Sequence, residues 1–521
     1  MFLDVKNLPD DPAQLKRLIA SFQEKISHLE EHVRLLRNEI FGRKSEKRPA
    51  PEADRQCDLF DEADGDAPEE INQTPEPIRI APHQRRKAGR KPLPADLPRI
   101  EVIHDLPESQ KQCACGSPLS RIGEEVCEKL DIIPAKVQVI RHIRYKYACK
   151  GCEGIDSEAP TVLIAPPPPQ LIPKSMATAG LLAHIVVAKF EDALPFHRQS
   201  KQFARMGIDL PRATLCNWAR QVAENASPLS DLMDRAIREG PIVNIDETTV
   251  QVLKEPGRAD SQKSYMWIFR GGDPERPVLR YQYHPTRAGS VPLTYLAGFR
   301  GYAQTDGYNG YDALGRKPGI IMVGCWAHAR RKFHEVLQAA GTQLAKKQLA
   351  AEQALEFIGR LYRIEKEARL KELSVPEHYE LRQQQAKPVL DEFKTWLDAK
   401  APLTPPGGLL GKAIGYALNQ WPRLITYLQD SRLRPDNNLV ENAIRPFVVG
   451  RKNWLFSGHP RGAEASAFLY SLIETAKANG LKPYTYLRHL FDQLPLAKSE
   501  DDYRNLLPPY MDTTRLNPAA R

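Results

Sequence analysis

Three carboxylates stand where carboxylates are costly. Asp246 lies in the middle of the apolar run PIVNIDETTVQVL (241–253), between Ile245 and Glu247. A charge inside a buried strand needs a partner or a metal. Asp306 closes a second apolar run at AQTDGYNGY, where Gly307 lets the chain turn away. Glu441 falls on a helical pattern opening near Asn437 and Asn438, both able to cap a helix. Acids so placed suit the cutting of a phosphodiester. Two Mg²⁺ ions about 3.5–4 Å apart can activate a water and take up charge on the leaving 3′ oxygen. Mg²⁺ takes hard oxygen ligands and keeps several waters, so two or three carboxylates suffice and no Ser, Tyr or Cys nucleophile is required.

The elements that must hold these acids can be read around them. After 241–253 come two more strand-like runs, SYMWIFRGG (264–272) and PVLRYQYHP (277–285), then GFRGYAQTDGY (298–308) and PGIIMVGCWAH (318–328). Three antiparallel strands followed by alternating α and β is the order of an RNase H-like fold. In such a sheet the first and fourth strands are neighbours, so their acids converge, and a helix across the sheet adds the third. Residues 331–430 break the pattern with helical periodicity at 331–373, 377–399 and 408–429, which reads as an all-helical insertion. The α/β texture returns at 434–458, with helices expected around 462–478 and 483–493. Pro446 is expected to kink or end the helix carrying Glu441. From about 500 the chain has no periodicity and is expected to be loose.

Upstream, Leu15, Ile19, Phe22, Ile26, Leu29, Val33, Leu36 and Ile40 are spaced 4, 3, 4, 3, 4, 3, 4, the seam of a coiled coil for self-association. Residues 51–76 carry ten acids and one Arg, a net of −9; residues 77–99 carry seven Lys or Arg and one Asp, a net of +6. Such Pro-rich charged blocks do not fold alone. The basic half holds RRKAGRKPLP, and Arg85, Arg86, Lys87, Arg90 and Lys91 suit a narrow A·T-rich minor groove. Cys113 and Cys115, then Cys149 and Cys152, can hold one structural Zn²⁺ in a small β module. Beyond the proline run 166–169, helices and a turn at Gly207 lead to a third helix from Pro211. Its Arg212, Thr214, Asn217 and Arg220 lie on the polar side, with Leu215 and Trp218 inward, as in the recognition helix of a helix-turn-helix.

Composition bounds the rest. The chain has 521 residues, 41% hydrophobic and 27% charged, with a formal net charge of +9. That is ordinary for folded protein and compatible with an anionic partner. No apolar run reaches the ~18 residues of a membrane span, and the N-terminus lacks a signal pattern, so a cytoplasmic setting without membrane is expected. Eight Cys are too few for a disulfide scaffold.

Three strings carry a family resemblance: IDETTVQVLKEPG…YMWIFRGG, TDGYNGY…CWAHARRKF and NNLVENAIRPFVVGRKNWLFSG. With EIFGRKSEK at 39–47, GRKPLPADLPR at 89–99, CKGCEG at 149–154 and LLAHIVVAKFEDALPFHRQ at 181–199, the chain closely resembles the insertion-sequence-sixty-six (TnpC-type) DDE transposases of bacteria. The resemblance implies that Asp246, Asp306 and Glu441 are the catalytic triad holding Mg²⁺ or Mn²⁺. It implies DNA as partner, both transposon ends and target, with a homodimer or higher oligomer and accessory transposition proteins. The first zinc pair departs from the family's usual CxxC, being CxC here. Cys325 and His328 form a CxxH resembling one found beside the active site in some DDE groups; a second zinc would need more than these two ligands, so His328 is expected near the scissile phosphate or in packing instead. Arg445, Arg451 and Lys452 are expected DNA contacts, with Trp454 either stacking on a base or packing in the core.

The expected organisation is a coiled coil (1–48), a charged linker (49–99), a zinc module (100–160) and a helix-turn-helix-like domain (161–235). A catalytic domain in two parts (236–330 and 433–480) flanks the helical insertion (331–432), and a C-terminal helix and tail (481–521) follow. The fold class is thus multidomain α/β. The expected activity is hydrolysis of transposon 3′ ends and their joining to target DNA. An RNase H-like nuclease without strand transfer, or a zinc-containing DNA-binding regulator, are the alternatives.

Overall fold

The protein is represented by a computed structural model that describes residues 11–41, 99, 136–148, 162–339 and 345–516. By internal packing the chain forms two units, residues 1–44 with 142–521, and residues 45–141. Arg85, Arg86, Lys87, Arg90, Lys91, Cys113, Cys115, Cys149 and Cys152 lie outside the described residues.

The first unit opens with helix α1 (Pro12–Phe41), then a small antiparallel pair, β1 (Lys146–Ala148) and β2 (Val162–Ile164). Four helices follow: α2 (Ala179–Phe190), α3 (Phe196–Arg205), α4 (Arg212–Asn225) and α5 (Pro228–Glu239). Thr178 caps α2 by accepting from Leu181 N at 3.2 Å. Between α3 and α4 the chain turns at Gly207, whose φ of +78° suits glycine.

The main sheet begins with the meander β3 (Ile242–Val252), β4 (Lys263–Asp273) and β5 (Arg276–His284). After α6 (Ser290–Tyr295) come β6 (Gly301–Gln304), α7 (Asp312–Gly315) and β7 (Ile320–Val323). Strand order is β5-β4-β3-β6-β7, antiparallel through the meander and parallel from β3 to β6 to β7. The first and fourth sequence-predicted strands are therefore neighbours.

A helical block separates β7 from the next part of the α/β unit: α8 (Trp326–Ala339), α9 (Ala345–Leu370), α10 (Val375–Leu381), a π-helical turn at Arg382–Ala386, α11 (Lys387–Lys400) and α12 (Leu409–Leu424). It has its own core around Trp326, Phe333, Ile358, Phe393 and Ala413. One guanidinium ties it together. Arg382 is buried, with Nε and Nη2 donating to both oxygens of Glu365 at 2.8 and 2.7 Å. Its remaining hydrogens go to the carbonyls of Tyr427, Asp430 and Leu433 at 2.7, 2.9 and 2.7 Å.

The chain then re-enters the sheet unit through α13 (Asn438–Trp454), β8 (Phe456–Ser457), α14 (Pro460–Ala478), α15 (Pro483–Gln493) and α16 (Glu500–Asn505). Edge strand β5 is not left open. Ser471 and Thr475 of α14 accept from the backbone N–H of Tyr281 and Leu279 at 2.8 and 3.0 Å. Free edge N–H groups invite other chains to pair, and buried hydroxyls answer them here.

Three expectations need correction. Pro446 does not end α13, which runs through it. The helix is held on both sides of the proline: the Tyr281 hydroxyl donates to the Ala443 carbonyl, and β8 beyond its end pairs with β3. The tail over 500–516 is not loose, because Leu506, Leu507 and Met511 are buried and Glu500 pairs with Arg235 at 2.6 Å. Its apolar residues are clustered, so they show no period. Finally, Asn437 and Asn438 do not cap α13 with their side chains; the Asp436 carboxylate accepts from Asn438 N at 3.1 Å instead.

Helix α1 forms over the heptad seam, yet the seam is not what it lays on its own chain. Glu31 and Leu35 are buried, whereas Ile26 and Leu29 remain 55% and 65% exposed, and Ile19, Val33 and Leu36 are exposed as well. Glu31 Oε2 accepts from Leu409 N at 3.4 Å, at the N-terminus of α12, where a negative charge is favoured and Gly408 offers no side chain to cap. Asn38 Nδ2 donates to the Gln338 carbonyl at 3.2 Å.

Candidate active site

The register of β3 and β6 brings two of the acids to one end of the sheet. Asn244 pairs with Gln304, and two residues further along each chain stand Asp246 and Asp306. Alternation puts Asn244 and Asp246 on the same face of β3. Gly307 turns the chain beneath Tyr416, whose ring lies 2.7 Å from where a Cβ would sit.

A buried amide network brings in the third segment. Asn244 Nδ2 donates to Gln304 Oε1 at 2.9 Å and to Asn437 Oδ1 at 3.1 Å. Asn437 Nδ2 donates to the Ile245 carbonyl at 2.9 Å, and Gln304 Nε2 to the Arg434 carbonyl at 2.8 Å. The start of α13 is thereby pinned to β3 and β6, and Glu441 stands in its first turn. Asn437 thus serves as a brace.

The acids act on one another. Asp246 is pushed up to about 8 by burial, then by Glu247 and Glu441, with a lesser contribution from Asp306; the Glu247 N–H, 2.9 Å from Oδ1, opposes this. Burial and the neighbouring charges thus favour the protonated form of Asp246. A buried carboxylate raised by the acids around it suits a hard divalent cation.

Sequence reading missed the support of this cluster. Glu247 faces away from Asp246 and pairs with Arg287, while the Tyr311 hydroxyl donates to its other oxygen. Arg287 lies 3.8 Å from the Tyr308 ring, and Tyr308 N donates to Asp306 Oδ1 at 2.9 Å. The ends of β3 and β6 are thus locked together behind the acids. The adjacent acid in IDET and the tyrosines of DGYNGY are the only traces of this in sequence. Beside it lies an open cleft lined by Arg258, Lys263, Tyr265, Arg287 and Tyr308.

Cys325 and His328 also reach the acids. Cys325 Sγ is 3.9 Å from Glu441 Oε1, and His328 Nδ1 is 3.6 Å from the same oxygen. Burial and then Glu441 push the Cys325 thiol up to about 12, while the N–H of Asn437, 3.2 Å from Sγ, opposes this. Burial lowers His328, with Glu441 acting against it.

Other expected DNA contacts divide. On α4, Leu215 and Trp218 are buried and Arg212 and Asn217 exposed, as the polar stripe predicts. Thr214 and Arg220 are half-buried, and Arg220 is engaged with Glu224 and with Asn217 Oδ1 at 2.7 Å. Arg445 and Lys452 are exposed on α13. Arg451 instead turns inward, donating to Thr248 Oγ1 at 3.1 Å and to the Thr249 carbonyl. Trp454 packs edge-on against Phe447 at 5.5 Å, which answers the alternative of core or base stacking in favour of the core.

Comparison with known proteins defines the class. The profile described as "Transposase IS66 family" matches residues 174–465, so the chain belongs to this family. The profiles "zinc-finger binding domain of transposase IS66", "Transposase C of IS166 homeodomain" and "IS66 C-terminal element" match residues 110–153, 28–102 and 471–508. The zinc-finger match suggests structural zinc, and together the profiles support a transposase with DNA as partner. Among individual relatives, "Uncharacterized protein y4jD" of Sinorhizobium fredii (strain NBRC 101917 / NGR234) is 33% identical over 506 residues, 95% of each chain. "Uncharacterized protein y4qI" of the same strain is 31% identical over 515 residues, 95% of this chain and 91% of its own. No helix among the described residues is long and apolar enough to cross a membrane.

Proposed function

We propose that this chain is a DDE-class DNA transposase that binds terminal inverted repeats, hydrolyses the 3′ ends and joins them to target DNA. The observation that carries the reading is the Asn244–Gln304–Asn437 network, which ties together the segments bearing Asp246, Asp306 and Glu441. The sheet order supports an RNase H-like catalytic domain, 236–330 with 433–480, interrupted by the helical insertion 331–432. Asp246, Asp306 and Glu441 would hold Mg²⁺ or Mn²⁺, which when bound supplies an activated water and charge neutralisation at the leaving oxygen. The protein's part is to fix the carboxylates, and Arg287 and Tyr308 brace the strand ends that carry two of them. The cleft beside them, with its cations and two tyrosine rings, suits a DNA strand through phosphate charge and base stacking.

The remaining modules fit the same work. The basic arm, the four-cysteine zinc module and α4 would recognise the ends, with accessory proteins assisting in the cytoplasm and on the nucleoid. The test is direct. Purified protein with Mg²⁺, labelled DNA carrying the element's ends and a target plasmid should give a joined product. Cleaved ends without joining would favour a nuclease, and binding alone a regulator.

Self-association follows from α1. Its own chain covers the face of Glu31 and Leu35, leaving the heptad seam to a second copy. A homodimer through this seam is expected, each buried aliphatic side chain contributing about 1.5–3 kcal/mol. Replacing Ile26 and Leu29 by Glu should convert dimer to monomer in light scattering, with the thermal unfolding of the catalytic domain unchanged. A dimer that survives the double substitution would rule the seam out.

A further inference from the structure

We propose that Cys325 Sγ, His328 Nδ1 and Glu441 Oε1 form a binding site for one thiophilic divalent ion, zinc by preference. The three donor atoms lie within 4.8 Å of one another, a convergence of sulfur, nitrogen and oxygen on one point. Zinc bonds of about 2.0–2.3 Å put tetrahedral ligands about 3.3–3.8 Å apart. The 3.6 Å from His328 to Glu441 and the 3.9 Å from Cys325 to Glu441 already approach those edges.

Two further observations point to a ligand. His328 Nδ1 is buried and has no hydrogen-bond partner, an unmet cost that a metal bond would remove. Cys325 Sγ accepts the backbone N–H of Asn437, the kind of support that orients a metal thiolate. The donor set also selects the ion. Mg²⁺ avoids sulfur, whereas Cys, His and carboxylate together suit zinc, with water as fourth ligand.

The site differs from the four-cysteine module in residues and position in the chain. It joins the entry of α8 to the first turn of α13. Both contacts use Oε1 of Glu441. Zinc here fixes the carboxylate that arrives last in the chain, a positioning role. The assignment of the site itself stands apart from the transposase reading.

The experiment uses the full chain purified from zinc-supplemented culture, as wild type, Cys325→Ser and His328→Ala. Circular dichroism melts first confirm that the variants fold; should Cys325→Ser fail, His328→Ala carries the test. Elemental analysis should find about one zinc per chain fewer in each variant. Cobalt-loaded wild type should show thiolate-to-metal charge-transfer intensity that Cys325→Ser loses in part, the remainder belonging to the four cysteines. Equal zinc content in the folded proteins and superposable cobalt spectra overturn the site. Loss of one zinc in the variants, beside a wild type that joins no DNA, would leave the site standing and sink the transposase reading. DNA joining with equal zinc content would do the reverse.

Discussion

Asp246→Ala should reduce Mg²⁺-dependent cleavage of element-end DNA by about 10³-fold or more, with end binding retained. The magnitude corresponds to about 4 kcal/mol of lost transition-state stabilisation, a typical stake for metal-borne charge. Binding should persist because Asp246 lies among acids, Glu441 and Asp306, while the cations proposed to meet DNA are other residues. Gel-shift titration and a cleavage time course on the same preparation separate the two. Cleavage within about tenfold of wild type would remove Asp246 from the chemistry.

The same residue sets a pH dependence in the wild type. Asp246 is raised to about 8, so below that value metal must displace its proton. Apparent Mg²⁺ affinity should therefore climb by up to about tenfold per pH unit toward 8 and level off above it. Calorimetry in two buffers of different ionisation enthalpy would count the released proton. Its sign is that of a raised carboxylic acid, so affinity falls as the solution becomes more acidic.

Arg382→Met should destabilise the helical block by about 3–5 kcal/mol, the cost of leaving a buried carboxylate without its partner. Glu365 is held below the usual carboxylate range: burial opposes this, but His378 and Arg382 together prevail. In the variant the Glu365 carboxylate keeps only His378, and three carbonyls at 427, 430 and 433 lose their donor. Those carbonyls lie just before α13, so Glu441 should lose its fixed position too. Urea unfolding should show an early transition, with faster hydrogen exchange over 375–435. An unfolding midpoint equal to wild type would show that the arginine is dispensable.

How much of this was legible in sequence depended on whether the signal was local. The run around Asp246 reads as a strand because β-branched Ile242, Val243, Ile245, Val250 and Val252 crowd it. Asp306 reads as a strand end because glycine and tyrosines follow. The helix over 12–41 is plain from its heptads, but the face that packs on the chain is not. That face depends on Glu31 meeting the N-terminus of α12, a contact across 378 residues. Arg382 is equally silent, since nothing near it distinguishes a buried guanidinium from a solvated one. Arg451 looked like a DNA contact for the same reason, until β3 supplied its acceptors. The third donor beside Cys325 and His328 was hidden by distance in the chain, not by chemistry.

The order of those carboxylates along the chain has a consequence for synthesis. On the proposed reading, Glu441 leaves the ribosome 135 residues after Asp306. At ~5–20 residues per second, that delay is on the order of ten seconds. Throughout it, the nascent chain already carries its N-terminal DNA-recognition segments and two of its three acids. On that reading it would find DNA before it could cut it, and cutting would wait until the helical block had folded and delivered the last carboxylate.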